Sequence, residues 1–136
     1  MRGKTVLTCG CFDILHIGHV LYLKAAKSFG DKLIVAVNSD ESFVSNKHRK
    51  PFVCQEERAE IIASLEFVDE CFIFDGITAS GEIARIRPDI FVKGADWKGL
   101  EFEERSAIKL AGGKMMFAPI TQNRSTTLLI NKIRQS

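Results

Sequence analysis

The sequence predicts an α/β domain in which a five-stranded parallel sheet carries helices on both faces. Three observations predict it. Short apolar runs alternate with segments of helical periodicity from one end of the chain to the other. The run at 32–38, KLIVAVN, is almost continuously apolar, as a strand covered on both faces must be. Gly30-Asp31, Pro88 and Gly112-Gly113 stand where successive helices must stop.

The elements follow in order. Residues 5–9 form the first strand, ended by Gly10. Residues 20–29 form a helix, stopped by Gly30-Asp31. After the 32–38 strand, residues 39–51 read as a polar loop, long for a compact α/β domain and of the kind that serves as a lid. Residues 56–65 form a helix, 70–74 a strand, and 80–87 a short helix that ends before Pro88. Residues 90–93 are a strand, 101–110 a helix, 114–118 the last strand and 125–134 the last helix. Strands that alternate with helices pair in parallel, because each helix carries the chain back across the sheet. There is no linker, repeat or low-complexity segment, so residues 1–136 form one domain.

Bulk properties narrow the function. A net charge of +2 is too small to argue for nucleic acid as a partner. The compact basic stretch Lys47-His48-Arg49-Lys50 fits a local anion site. Cys9, Cys11, Cys54 and Cys71 lack the C-x-x-C spacing of a zinc site and read as reduced, mostly buried thiols. No signal peptide precedes the first strand and no apolar run can span a bilayer, so a cytoplasmic protein without a membrane partner is expected.

Ligands of such sheets bind beyond the carboxyl ends of the strands, where the strand order reverses. Four loops qualify: 10–19, 39–51, 94–99 and 119–124. The first reads GCFDILHIGH. His16 and His19 are three apart at a helix start, so both imidazoles can address one ligand. The helix start adds exposed N–H groups and partial positive charge. Gly18 keeps a side chain from between them. This combination suits a polyphosphate whose charge grows as a P–O bond breaks. Asp13 is placed to orient a histidine or to help hold magnesium. A histidine pair alone is more often structural, and a zinc site lacks an obvious third ligand.

The string GCFDILHIGH resembles the signature of the cytidylyltransferase-like nucleotidyltransferases, whose H-x-G-H stands here as His16-Ile17-Gly18-His19. Residues 34–40, IVAVNSD, resemble that family's second strand and the acidic turn after it. Glu57-Arg58 opens the next helix as in the family. Arg124-Ser125-Thr126-Thr127 resembles its late nucleotide-binding segment. The matches span essentially the whole chain, in order.

The resemblance implies a Rossmann-like, doubly wound fold, a nucleoside triphosphate and a sugar or polyol phosphate as substrates, and a homodimer. Magnesium comes with the triphosphate. His16, His19, Lys47 and Arg124 are then the catalytic residues. Lys47 is the lysine of the 39–51 segment, and Arg49 and Lys50 read as solvated charges. Gly10, Cys11, Phe12, Asp13, Gly18, Lys93, Gly94, Asp96, Trp97, Ser125, Thr126 and Thr127 surround the nucleotide. Asp40 and Arg58 face the acceptor. Taken alone, Ser125 is a helix cap, Lys93 contacts phosphate or solvent, and Trp97 stacks on a ring or covers the core.

Two branches of the family compete for the substrate. Heptose 1-phosphate adenylyltransferases carry V-K-G-G-D where this chain has Val92-Lys93-Gly94-Ala95-Asp96. Glu66 and the segment Gln122-Asn123-Arg124-Ser125 also resemble that branch. Glycerol-3-phosphate cytidylyltransferases share Trp97 and the compact length. The expected reaction is therefore ATP with heptose 1-phosphate giving ADP-heptose. CTP with glycerol 3-phosphate is the alternative. The rival from another class is a nucleotide-binding module that kept the fold without catalysis.

Overall fold

The computed structural model describes residues 3–120 and 125–136. The elements run β1 (Thr5–Gly10), α1 (Ile17–Ser28), β2 (Lys32–Asn38), α2 (Asp40–Lys47), α3 (Gln55–Ala63), β3 (Glu70–Phe74), α4 (Ser80–Ile86), β4 (Ile90–Gly94), a single 3-10 turn at Ala95–Trp97, α5 (Glu103–Leu110), β5 (Lys114–Ala118) and α6 (Thr126–Gln135). The sheet is parallel throughout, in the order β3-β2-β1-β4-β5. This is the doubly wound arrangement that the alternating pattern predicts.

Side chains of each strand alternate between two apolar layers. Val6, Val35, Val37 and Val92 pack with Leu23 and Ala26 of α1 and Ile62 of α3. Leu7, Ile34, Ala36 and Phe91 pack with Ile83 of α4 and Ile108 of α5. The strand β2 is buried from Leu33 to Asn38, which explains its unbroken apolar run. The helix α4 closes at Arg87, in the left-handed region at φ 51°, just before Pro88. After α5, Gly112 takes φ 81°, a conformation that L side chains rarely adopt.

The order of strands reverses at β1, which lies between β2 and β4. Its pairing with β2 continues to Gly10↔Val37, but its pairing with β4 stops at Thr8↔Val92. The two strands therefore part at their carboxyl ends, and a crevice opens between them.

One segment differs from expectation. Residues 40–47 form α2 instead of a lid-like loop. Ser39 caps it, its Oγ accepting from the Ser42 N–H at 3.2 Å, and Asp40 and Glu41 place negative charge in the first turn. Apolar periodicity is missing because the helix buries little beyond Ser42 and Phe43. The thiols agree with expectation in being free and depart from it in burial. Cys9, Cys11 and Cys71 are half-buried and Cys54 is exposed, and all four are free. No helix among the described residues is long and apolar enough to cross a membrane.

Candidate active site

The crevice is a cleft of about 420 Å³. Gly10 and Gly94, the last residues of β1 and β4, lie on its two sides. His16 and His19 line it, and they form the start of α1 in an unusual way. His16 is the N-cap, and its Nδ1 accepts from the Gly18 N–H at 3.0 Å. In return, His19 Nδ1 accepts from the His16 N–H at 3.1 Å. This is the reciprocal capping box usually built from Ser or Thr with Glu, made here of two histidines. The helix consequently starts three residues earlier than periodicity predicts.

The cap has a chemical consequence. An Nδ1 that accepts a hydrogen bond carries no proton, so the ring proton resides on Nε2. The imidazoles stack at 3.9 Å between centroids and 28° between planes. Burial lowers the His19 pKa to about 4, and the neighbouring His16 and Lys47 push the same way. His19 is therefore neutral at pH 7, a fixed hydrogen-bond donor in a partly desolvated site.

The loop before α1 is strained. Phe12 and Ile14 both sit in the left-handed region, at φ 51° and 55°. For a β-branched residue this costs about 1–2 kcal/mol. Gly10 makes room for the turn, since a Cβ there would lie 2.7 Å from the Phe12 ring. Phe12 in turn packs edge-on against His19, with centroids 5.5 Å apart. Two ties hold the strained backbone. The Thr126 hydroxyl donates to the Asp13 carbonyl at 2.6 Å. The buried Asp13 carboxylate accepts from the Phe52 N–H (3.1 Å), the Val53 N–H (2.9 Å) and Arg49 Nη1 (2.9 Å).

Asp13 thus anchors the segment after α2 to the histidine loop; neither histidine is among its hydrogen-bond partners above. The segment it anchors adjoins Lys47, the last residue of α2, which lines the cleft. Lys47 is close enough to lower the pKa of His19 and to offset part of the upward push of burial on the Cys11 thiol. Arg49 is not the solvated charge expected of it. Its guanidinium pairs with Asp13, lies 4.9 Å from the Phe43 ring centroid and 5.2 Å from that of Phe52, and lines the cleft. Lys50 is exposed, as expected.

Arg58 does not reach the cleft. It is buried, and its guanidinium donates to the Val53, Cys11 and Asn38 carbonyls at 2.9, 2.7 and 2.8 Å and to Asp40 at 2.7 Å. Asp40 and Arg58 tie the ends of β1 and β2 to α3, and neither lines the cleft. Lys93 also points away from it. Its ammonium lies 3.9 Å from the buried Glu104 carboxylate.

The other expected residues converge. Cys11, Gly18, Asp96, Trp97, Ser125, Thr126 and Thr127 all line the cleft with Phe12 and Asp13. Ser125 caps α6, its Oγ accepting from the Leu128 N–H at 3.0 Å. Arg124 lies outside the described residues. Tyr22, Phe43, Pro119 and Ile120 complete the wall; Pro119 and Ile120 belong to the expected 119–124 loop and Phe43 to the expected 39–51 segment, whereas Tyr22 stands outside the expected loops. Tyr22 carried a signal: it stands three residues beyond His19, on the same helical face. Its hydroxyl sits 2.7 Å from Thr8 Oγ1 and donates to the Val92 carbonyl at 3.1 Å, bridging β1 and β4.

A parallel sheet that opens at its switch point, with a stacked histidine pair and a lysine at the opening, defines a nucleotide-binding α/β site. Residues 7–132 match the family described as Cytidylyltransferase-like, and the chain belongs to that family of nucleotidyltransferases. It is 42% identical over 134 residues to the bifunctional protein HldE of Geobacter sulfurreducens, covering 97% of this chain and 27% of that protein. It is 43% identical to the bifunctional protein HldE of Campylobacter fetus subsp. fetus, again covering 97% of this chain and 28% of the relative. The chain therefore spans about a quarter of the length of these relatives. Among solved structures, it resembles a lipopolysaccharide core biosynthesis protein from Thermoplasma volcanium. That likeness has a TM-score of 0.73 and 31% identity, and covers 90% of this chain and 100% of the other. The fold is also that of a pantoate-beta-alanine ligase from Francisella tularensis, at TM-score 0.54 and 17% identity over 98% of this chain and 71% of the ligase.

Proposed function

We propose that the cleft transfers the adenylyl group of ATP to heptose 1-phosphate, forming ADP-heptose and pyrophosphate. The observation that carries the transfer chemistry is the histidine capping box at the switch point, with Lys47 beside it. An acceptor phosphate oxygen attacks the α-phosphorus in line. A P–O bond forms there, the bond to the β-phosphate breaks, and pyrophosphate leaves. The acceptor is already an anion, so the site needs no strong base. Its work is positioning and charge stabilisation. His16 and His19 donate from Nε2 to the transferring phosphoryl group, and Lys47 neutralises charge on the polyphosphate. By family resemblance Arg124 does the same from the segment before α6.

Magnesium fits this reading as a companion of the triphosphate. The described residues contain no cluster of three or more His, Cys, Asp or Glu suited to a metal. Both Asp13 oxygens are engaged, which leaves Asp96 as the cleft carboxylate placed to take one position. The ion would supply neutralisation of the β- and γ-phosphates.

Support for the acceptor comes from the V-K-G-x-D resemblance at Val92 to Asp96, from the likeness to bifunctional HldE proteins, and from the lipopolysaccharide core biosynthesis protein among the relatives. Trp97 supports the second reading, CTP with glycerol 3-phosphate. By the same family likeness we propose a homodimer, which light scattering tests. Pyrophosphate release is the deciding assay, run with four nucleoside triphosphates against heptose 1-phosphate, glycerol 3-phosphate and other sugar phosphates. ATP with heptose 1-phosphate is expected to dominate. Preference for CTP with glycerol 3-phosphate would replace the first reading with the second. Nucleotide binding without turnover on any pair would make the chain a binding module.

A further inference from the structure

Phe91 and Lys93 share one face of β4, and Phe91 packs in the layer of α4 and α5. Lys93 leaves the strand toward that layer and does not line the cleft. Its ammonium lies over the Trp97 ring, 4.2 Å from the centroid, and 5.6 Å from that of Phe102. Trp97 meets Phe102 edge-on at 5.3 Å and lines the cleft. On its other side Lys93 pairs with Glu104, which is only 3% exposed and whose Oε2 accepts from the Ala79 N–H at 3.0 Å.

Stability gives a poor account of this pair. A buried ion pair at 3.9 Å recovers little of its desolvation cost, and apolar side chains would fill the space as well. What the pair does is fix a cation against one aromatic ring. A cation over one face of an indole holds the ring in place. A ring so held offers its remaining surface to the cleft.

We infer that Lys93 and Glu104 are positioning residues that hold Trp97 as the wall on which the nucleotide base stacks. The stacking role rests on reading the cleft as a nucleoside triphosphate site. Holding Trp97 in place does not. Lys93 thus serves the nucleotide through the aromatic ring and not through phosphate.

The chain has one tryptophan, so fluorescence excited selectively at tryptophan reports Trp97 alone. Lys93→Met keeps the aliphatic stem and removes the charge. The double variant Lys93→Met with Glu104→Gln removes both charges together, in case a lone buried carboxylate blocks folding. Lys93→Arg keeps the cation. In ligand-free protein, acrylamide is expected to quench Trp97 about two-fold faster in the Met variants, with parental quenching in the Arg variant. The KM for the triphosphate is expected to rise about ten-fold in the Met variants, with kcat within a few-fold. Unchanged quenching overturns the positioning role. A fall in kcat at constant KM overturns it too, since that marks a phosphate contact. If no triphosphate alters Trp97 emission in the parent, the stacking role fails together with the reading of the cleft. Quenching of the ligand-free protein still decides whether the pair holds the ring.

Discussion

The ends of β1 and β4 face each other across one cleft, yet they are held by different physics. Beyond β1 the backbone is strained at Phe12 and Ile14, and hydrogen bonds from distant segments hold it: Asp13 to Phe52, Val53 and Arg49, and Thr126 to the Asp13 carbonyl. Beyond β4 the chain makes a single 3-10 turn, and one cation over an aromatic ring positions its main side chain. The first arrangement is rigid, as suits groups that must meet developing charge within tenths of an ångström. The second is an apolar wall set by one ring and the cation over it, as suits a base that needs only a flat partner. On the proposed reading, the chemistry falls on the β1 side and the nucleotide base on the β4 side.

The sharpest way to break this contrast is at the histidines. His16→Ala and His19→Ala are each expected to lower turnover about a hundred-fold or more. His16→Asn separates the two roles of that residue. Asparagine caps helices well, so the melting temperature is expected to stay near the parent's while turnover remains lost. Turnover within a few-fold of the parent would remove that histidine from the catalytic set.

Asp13→Ala tests the rigid side through stability. It leaves Arg49 without its carboxylate and two N–H groups unmet. Thermal unfolding is expected to show a loss of about 3 kcal/mol, or about 10 °C in Tm.

The His19 cap also predicts a pH dependence. The folded pKa of about 4 lies below the unpaired value of 6.5. Between those values the unfolded chain binds a proton that the folded chain refuses. The contribution is complete above pH 6.5 and declines as pH falls toward 4. Urea midpoints at pH 7 and pH 5 are expected to drop further in the parent than in His19→Gln. The smallest effect belongs to Lys50→Ala. An exposed lysine outside the cleft is expected to change turnover less than two-fold, whereas Lys47→Ala, one turn of chain away, should cost far more.

Much of the fold was legible in the sequence because it depends on local pattern. The strands at 32–38, 70–74 and 114–118 have the predicted bounds: β2 is buried on both faces, and the edge strands β3 and β5 are short apolar runs whose last residues, Phe74 and Ala118, are buried. The helix α2 was not legible, because a helix that buries one turn at a sheet edge shows no periodicity.

In the site, the sequence alone determined the reaction class. The string GCFDILHIGH and its resemblance to the nucleotidyltransferases carry that class, since a histidine pair at a helix start is by itself more often structural. Tertiary structure decided which charges line the cleft. Asp13 and Lys93 lie near strand ends, Arg49 between α2 and α3 and Arg58 within α3, and nothing local to any of them separates cleft-lining groups from internal ties. That distinction depends on partners tens of residues distant, such as Asp13 with Val53 or Arg58 with Cys11, and on which face of β4 the cleft adjoins. A charge is held inward only when buried acceptors or carboxylates await it, and those appear only once the chain has folded.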